Sequence, residues 1–324
     1  MDASVSSRLP LADLFQALAD PTRLRVLALL RTMELSVGEL AQVLGQSQPR
    51  VSRHVKILAD SGLVDRHKEG SWVFLALSPT ATSSALFDLI DAAADEQSRA
   101  LLDGDGVRLN AVRAVRAEAA ERYFAAHADV WDSIRSLHVS ESAVEAAIVE
   151  AFGGREVGRL VDIGTGTGRM IELLGSKAGT AIGIDRSSEM LRLARVKLDR
   201  AGIGDAALRQ ADMYALPLAD GAADSAILHQ VLHFAQAPAA AITEAARVLR
   251  SGGQLLVVDF APHDREELRS ADAHVRLGFT DEAMAGWFRA AGIEPDAPRH
   301  LEGGELTVTL WRGIKTAALD RKAA

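Results

Sequence analysis

Cysteine is absent from the 324 residues, which removes disulfides, thiolate metal sites and cysteine nucleophiles together. No run approaches the roughly 18–20 uncharged apolar residues of a membrane span. The opening MDASVSSRLP has neither a basic start nor an apolar stretch, so no secretory leader is expected. Internal repeats and low-complexity tracts are missing too. These absences point to a cytoplasmic protein with no membrane and no metal partner. Hydrophobic content of 48% and charged content of 25% are ordinary for a globular chain, and the length suffices for two cores.

A net charge of −8 argues at first against nucleic acid, but the charge is uneven. Residues 1–78 hold nine Lys/Arg against eight Asp/Glu, and Gln46–Lys56 holds Arg50, Arg53 and Lys56 with no acid. Phosphate neutralisation needs local positive charge, not a positive total.

Three zones follow: 1–80, 81–152 and 153–313. In the first, Asp20-Pro21 opens a helix striped by Leu24, Val26, Leu27 and Leu30. Ser36 can cap the next helix, and Gly45 permits the sharp bend of a helix-turn-helix. A third helix from about Ser47 turns Val51, Val55 and Leu58 inward and places Gln48, Arg50, Ser52, Arg53, His54 and Lys56 on other faces. Leu63–Lys68 and Ser71–Leu77 then read as two strands of a β-wing. A helix fits the major groove, where Gln48 and Arg50 can read base edges while Ser52 and Lys56 suit phosphates. Arg66 and Lys68 on the wing can meet the backbone or the minor groove. The middle zone, rich in Ala, Arg and Glu, predicts helices from Ser83 to Phe152, interrupted at Asp103-Gly104-Asp105-Gly106. Its expected work is dimer contact and connection.

The segments ADPTRLRVL, QSQPRVSRHVKILADSGLV and RHKEGSWVFLAL resemble the ArsR/SmtB family of winged-helix repressors over about residues 8–100. Metal-sensing members carry a cysteine pair where this chain has Ser36 and Gly38, and residues 84–104 hold no histidine. Metal sensing is therefore not expected, and the signal must come from elsewhere.

In the last zone, Val161–Met170 reads as a strand, a glycine-rich turn at Gly164, Gly166 and Gly168, and a helix start. A dinucleotide turn would need glycine where Arg169 stands, so NAD is disfavoured. Asp185 ends a second strand 21 residues after Gly164, where a carboxylate can accept both ribose hydroxyls. Gln210–Met213, Asp224–His229 and AARVLRSGGQLLVVDF supply the ends of three further strands. The alternation predicts a parallel, doubly wound α/β sheet.

This order resembles the class I S-adenosylmethionine-dependent methyltransferases, with their Rossmann-like fold, over about residues 155–313. The resemblance implies that Gly164, Gly166 and Gly168 pass the methionine part of the ligand and that Asp162 helps hold its amino group. It also implies Asp185 on the ribose, Asp212 on the adenine amino group, Met190 and Met213 on the adenine faces, and Leu228 and His229 at the methionyl end. His229 and His233 are the acid–base candidates nearby, expected to line the pocket. No Asn/Asp-Pro-Pro-Tyr/Phe segment follows the fourth strand, which disfavours methylation of DNA bases.

Two functions stay open on these residues. In one, the methyltransferase fold senses S-adenosylhomocysteine or S-adenosylmethionine and alters binding of double-stranded operator DNA by a homodimer. In the other, it methylates a small molecule. With ERYFAAHADVWDSIRSLH between its domains, the whole chain is similar to fused proteobacterial regulators of methionine-cycle genes. That likeness implies S-adenosylhomocysteine as the signal, with Tyr123 and Trp131 covering it.

Overall fold

The computed structural model describes residues 11–69, 72–78, 82–127, 140–153, 156–203 and 206–316. The chain divides into two compact units, Met1–Ala117 and Glu118–Ala324.

The first unit contains α1 (Leu11–Leu18), α2 (Pro21–Leu30), β1 (Leu35–Ser36), α3 (Val37–Leu44), α4 (Gln48–Asp60), β2 (Val64–Glu69), β3 (Trp72–Leu77), α5 (Thr82–Ala93) and most of α6 (Glu96–His127). Asp20 caps α2 by accepting from Thr22 N at 2.8 Å and Arg23 N at 3.1 Å. Ser36 and Glu39 form a reciprocal capping box at α3. Gly45 ends α3 with φ 65° and gives the turn into α4. β2 and β3 pair antiparallel from Val64↔Leu77 to Glu69↔Trp72, and β1 adds to β3. Val26, Leu27, Leu40, Val51, Val55, Leu58, Phe74 and Leu75 are buried between these elements. Each such side chain stabilises the fold by about 1.5–3 kcal/mol over its exposed state.

The helical zone corrects one expectation. α6 runs unbroken through Asp103-Gly104-Asp105-Gly106, which composition marks as an interruption. Two glycines cost about 1 kcal/mol each in a helix, but Asp105 is buried and bonded to two arginines. Tertiary pairing outweighs local propensity.

The second unit contains α7 (Glu141–Phe152), β4 (Gly158–Ile163), α8 (Arg169–Leu174), β5 (Ala178–Asp185), α9 (Ser188–Arg200), β6 (Ala207–Gln210), β7 (Ala223–His229), α10 (Pro238–Val248), β8 (Leu249–Phe260), α11 (Glu267–Ala271), α12 (Asp281–Ala290), β9 (Ile293–Pro295), β10 (Arg299–Leu301) and β11 (Val308–Lys315). The sheet order is β10-β11-β8-β7-β4-β5-β6, with β9 also on β11. The five strands from β4 to β8 are parallel to one another, as expected. The sheet as a whole is mixed, because β11 lies antiparallel to β8 and carries β9 and β10. Alternate residues feed opposite faces. Val161, Leu228, Leu255 and Val257 meet Ala241, Ile242, Met284 and Phe288 on one side. Leu160, Ile227, Leu256 and Val258 meet Ile148, Phe152, Met170 and Ile171 on the other. Helices thus cover both faces. No helix among the described residues is long and apolar enough to cross a membrane.

Candidate functional site

On α4, Gln48, Arg50, Ser52, Arg53 and Lys56 are exposed, so the helix presents a polar, basic face. Lys56 pairs with Asp60 at 2.7 Å in the open, an exposed pair that constrains it little. Arg66 is exposed on β2. Lys68 lies on β2 opposite Val73, with its side chain outside the described residues.

His54 faces the other way. Its side chain is 14% exposed, and its Nδ1 lies 3.5 Å from Asp20 Oδ1 at the start of α2. The spacing carries this signal: His54 is three residues after Val51 and four before Leu58, on the buried side of the helix. Burial pushes the Asp20 carboxyl up, but the Arg23 N–H and the His54 ring together hold it below the usual range.

In the second unit the strand order reverses beside β4, which lies between β5 and β7. Open α/β sheets bind ligands outside the carboxyl ends of strands at such a point. Asp185 ends β5 here, half-buried. Its Oδ2 accepts from Gly166 N and its Oδ1 from Ser187 N, both at 2.8 Å. These bonds leave the carboxylate acceptor capacity to spare. Burial raises the Asp185 carboxyl above its ordinary value, against the N–H groups of Ser187, Gly166 and Arg186, which lower it. Asp162 is buried under the same turn, accepting from Thr165 Oγ1 at 2.6 Å.

Two glycines have distinct reasons. Gly164 has φ 73°, and a Cβ there would lie 2.4 Å from Val231 Cγ2 in the loop after β7. Gly168 has φ 82°, and a Cβ would press Ala194 and Leu198 of α9 at 3.3 Å. Gly164 thus admits the neighbouring loop, while Gly168 admits a helix. Gly166, with φ 52°, gives its N–H to Asp185.

Asp212 is exposed after β6, and its Oδ1 accepts from Tyr214 N at 3.1 Å. Met213 is half-buried against the core, whereas Met190 is 2% exposed. Leu228 is buried at the end of β7, followed by half-buried His229. Tyr123 lies on α6 with its side chain outside the described residues, and Trp131 lies outside them altogether.

The arsR family of bacterial regulatory proteins matches residues 20–66, and the methyltransferase domain family matches residues 161–257. The chain joins an arsR-family domain to a methyltransferase domain. Over 67 residues it is 49% identical to the arsenical resistance operon repressor of Escherichia coli, covering 20% of this chain and 57% of that one. It therefore spans little more than half of that relative. Over 151 residues it is 32% identical to a phosphatidylethanolamine N-methyltransferase of Cereibacter sphaeroides, covering 46% of this chain and 70% of that one. A chain from the complex between the Haloferax volcanii Trm112 methyltransferase activator and a methyltransferase superposes with TM-score 0.50 at 20% identity, over 60% of this chain and 98% of that one. That likeness shows the fold.

The arsR-family domain keeps Ser36 inside its capping box. Among the described residues no group of three or more His, Cys, Asp or Glu could hold a metal ion.

Within the methyltransferase domain, three further residues shape the site with little signal in the sequence pattern. Val231 is the partner of Gly164. The Tyr214 hydroxyl accepts from Gln236 N at 2.9 Å and Ala237 N at 3.2 Å, tying the loop after β6 to the one before α10. Asp259, 1% exposed, accepts from Leu232 N at 2.9 Å and lies 2.8 Å from His233 Nδ1. His233, expected to line a pocket, is 3% exposed and packs at a tilt against His274 and Phe260. Only the polar terminus of VVDF hints at Asp259, and nothing local reveals its partner.

Proposed function

We propose that the protein is a transcriptional repressor that binds operator DNA as a homodimer and senses S-adenosylhomocysteine or S-adenosylmethionine through its methyltransferase domain. The observation that carries the sensing half is Asp185. A half-buried carboxylate ends β5 at the reversal of strand order, already joined to the glycine turn and with acceptor positions to spare. Those positions suit two ribose hydroxyls. Gly164, Gly166 and Gly168 would border the methionine part, Asp162 would steady its amino group, Asp212 and Met213 would meet the adenine, and Leu228 and His229 would border the methionyl end. Met190 would reach the adenine only by rearranging its packing. S-adenosylhomocysteine is the favoured signal, and the resemblance to methionine-cycle regulators supports it.

Sensing requires that the ligand bind the two DNA-competence states unequally, and a difference of about 1–3 kcal/mol suffices. By reciprocity, operator DNA must alter ligand affinity by the same factor. Calorimetric titration of each adenosyl ligand with and without operator tests this. Identical affinities would reject sensing.

The DNA half rests on the exposed face of α4. Arg50→Ala or Arg53→Ala should each weaken operator binding by about 1–3 kcal/mol if it reads a base. Unchanged affinity in both would remove α4 from recognition. A dimer should protect two half-sites about 10–10.5 base pairs apart, so one protected half-site at saturation would contradict dimeric binding.

A tethered methyltransferase is the second reading, and the match of the methyltransferase domain family to residues 161–257 is what supports it. Steady formation of S-adenosylhomocysteine from S-adenosylmethionine, with a small-molecule extract as acceptor source, would support that reading over sensing alone.

A further inference from the structure

The first unit holds a buried ion cluster that neither half of the proposed function uses. Asp105 of α6 is 1% exposed. Arg25 of α2 grips it with a bidentate fork, Nε to Oδ2 and Nη2 to Oδ1, each at 2.6 Å. Arg108, one turn along α6, gives its Nη2 to the same carboxylate. Its Nε donates to Val43 O at 2.6 Å, and Arg25 Nη2 lies 3.5 Å from Leu44 O. Val43 and Leu44 end α3, and Gly45 follows as the left-handed residue of the turn into α4. The last carbonyls of a helix have no partner within it. Here two arginines reach them, and one carboxylate on α6 holds both arginines. Thr22 completes the cage by accepting from Gln46 Nε2 at 3.2 Å.

We infer that Asp105 and Arg108 are positioning residues for the DNA-reading turn, so that α6 belongs to the recognition machinery. The guanidinium forks have fixed geometry. They set where α3 stops, and hence where Gln48 and Arg50 at the start of α4 are presented. Nothing in the arsR-family match, which ends at residue 66, includes these two residues. α6 then continues to His127, past the division at Ala117. A movement of α6 would therefore bear directly on the turn. The inference rests on the DNA-binding half of the proposed function.

The test uses the full chain and the duplex that the wild type selects from a random-sequence pool. Arg108→Ala is the first variant, because that side chain is 47% exposed and the Arg25–Asp105 fork survives its loss. It should weaken binding to the selected duplex by about tenfold, the scale of a misplaced base contact. Binding to a random duplex, and its salt dependence, should not change, since Arg108 is bonded to a carbonyl and a carboxylate. Arg108→Lys keeps the charge and loses the fork, so it should behave like Arg108→Ala. Asp105→Asn, which disturbs both arginines, should lose at least as much selectivity. Full selectivity in Arg108→Ala, or full restoration by lysine, would overturn the inference while leaving DNA binding intact. A wild type that selects no duplex would reject the DNA-binding function first, and the inference with it.

Discussion

Gly164→Ala should remove adenosyl-ligand binding and destabilise the methyltransferase unit by about 2–5 kcal/mol. Two causes add. At φ 73° an L-residue is held in the left-handed region, costing about 1–2 kcal/mol. The new methyl also overlaps Val231 Cγ2, and overpacking of this kind costs about 1–3 kcal/mol. Val231 cannot retreat freely. Gln230 before it is held at φ 49°, with its N–H on Val258 O at 2.7 Å. Leu232 after it gives its N–H to Asp259. Urea unfolding gives the stability change and calorimetry the ligand affinity. Adding Val231→Ala should restore part of the stability by removing the overlapping methyls, while the backbone cost stays. An unchanged midpoint in Gly164→Ala would show that the loop yields easily and that the turn is not built as described.

Asp185→Ala is the second large effect. Losing two charge-assisted hydrogen bonds to ribose should cost about 2–3 kcal/mol of ligand affinity, or about 30- to 150-fold. DNA affinity without ligand should stay at the wild-type level. The pH dependence has a definite sign. Burial raises the folded-state value of the Asp185 carboxyl above the unfolded one, so its contribution to stability is full below the unfolded value and is lost as pH rises through the raised folded value. Ligand hydroxyls need the ionised form. Affinity should therefore decline on acidification at a higher pH than an ordinary aspartate would dictate. The Asp185→Ala variant should lack that decline. Equal affinities in wild type and variant would remove Asp185 from the site.

What the sequence made legible is what depends on neighbours in the chain. Ser36 and Glu39 are three residues apart, so the capping box is a local pattern, and Gly45 marks its turn by its own backbone freedom. The glycine turn and the carboxylate 21 residues later are likewise set by one strand–helix–strand unit. The fit failed where a partner lies far off. Asp105 looks like a helix breaker until Arg25, 80 residues away, is beside it. β11 lies antiparallel to β8 because strands 50 residues apart by sequence find each other (Val308 beside Phe260, Leu310 beside Val258), and no alternation of residues announces that pairing. His54 is a different case. The period of α4 carries its inward position, while its basic neighbours suggest the DNA face that it does not occupy.

The capping box also bears on what positions 36 and 38 could hold instead. Ser36 and Gly38 stand where the resemblance to the ArsR/SmtB family would put a metal-binding cysteine pair, and both positions do other work here. The Ser36 hydroxyl lies 2.8 Å from Glu39 Oε2 and accepts from Glu39 N at 3.3 Å, so cysteine there would surrender a helix cap worth about 1 kcal/mol. A Cβ on Gly38 would stand 2.9 Å from Gln48 Nε2, and the amide at the head of α4 would have to swing aside. A thiolate pair introduced at 36 and 38 would thus disturb the start of one helix and the head of the next before it bound any ion.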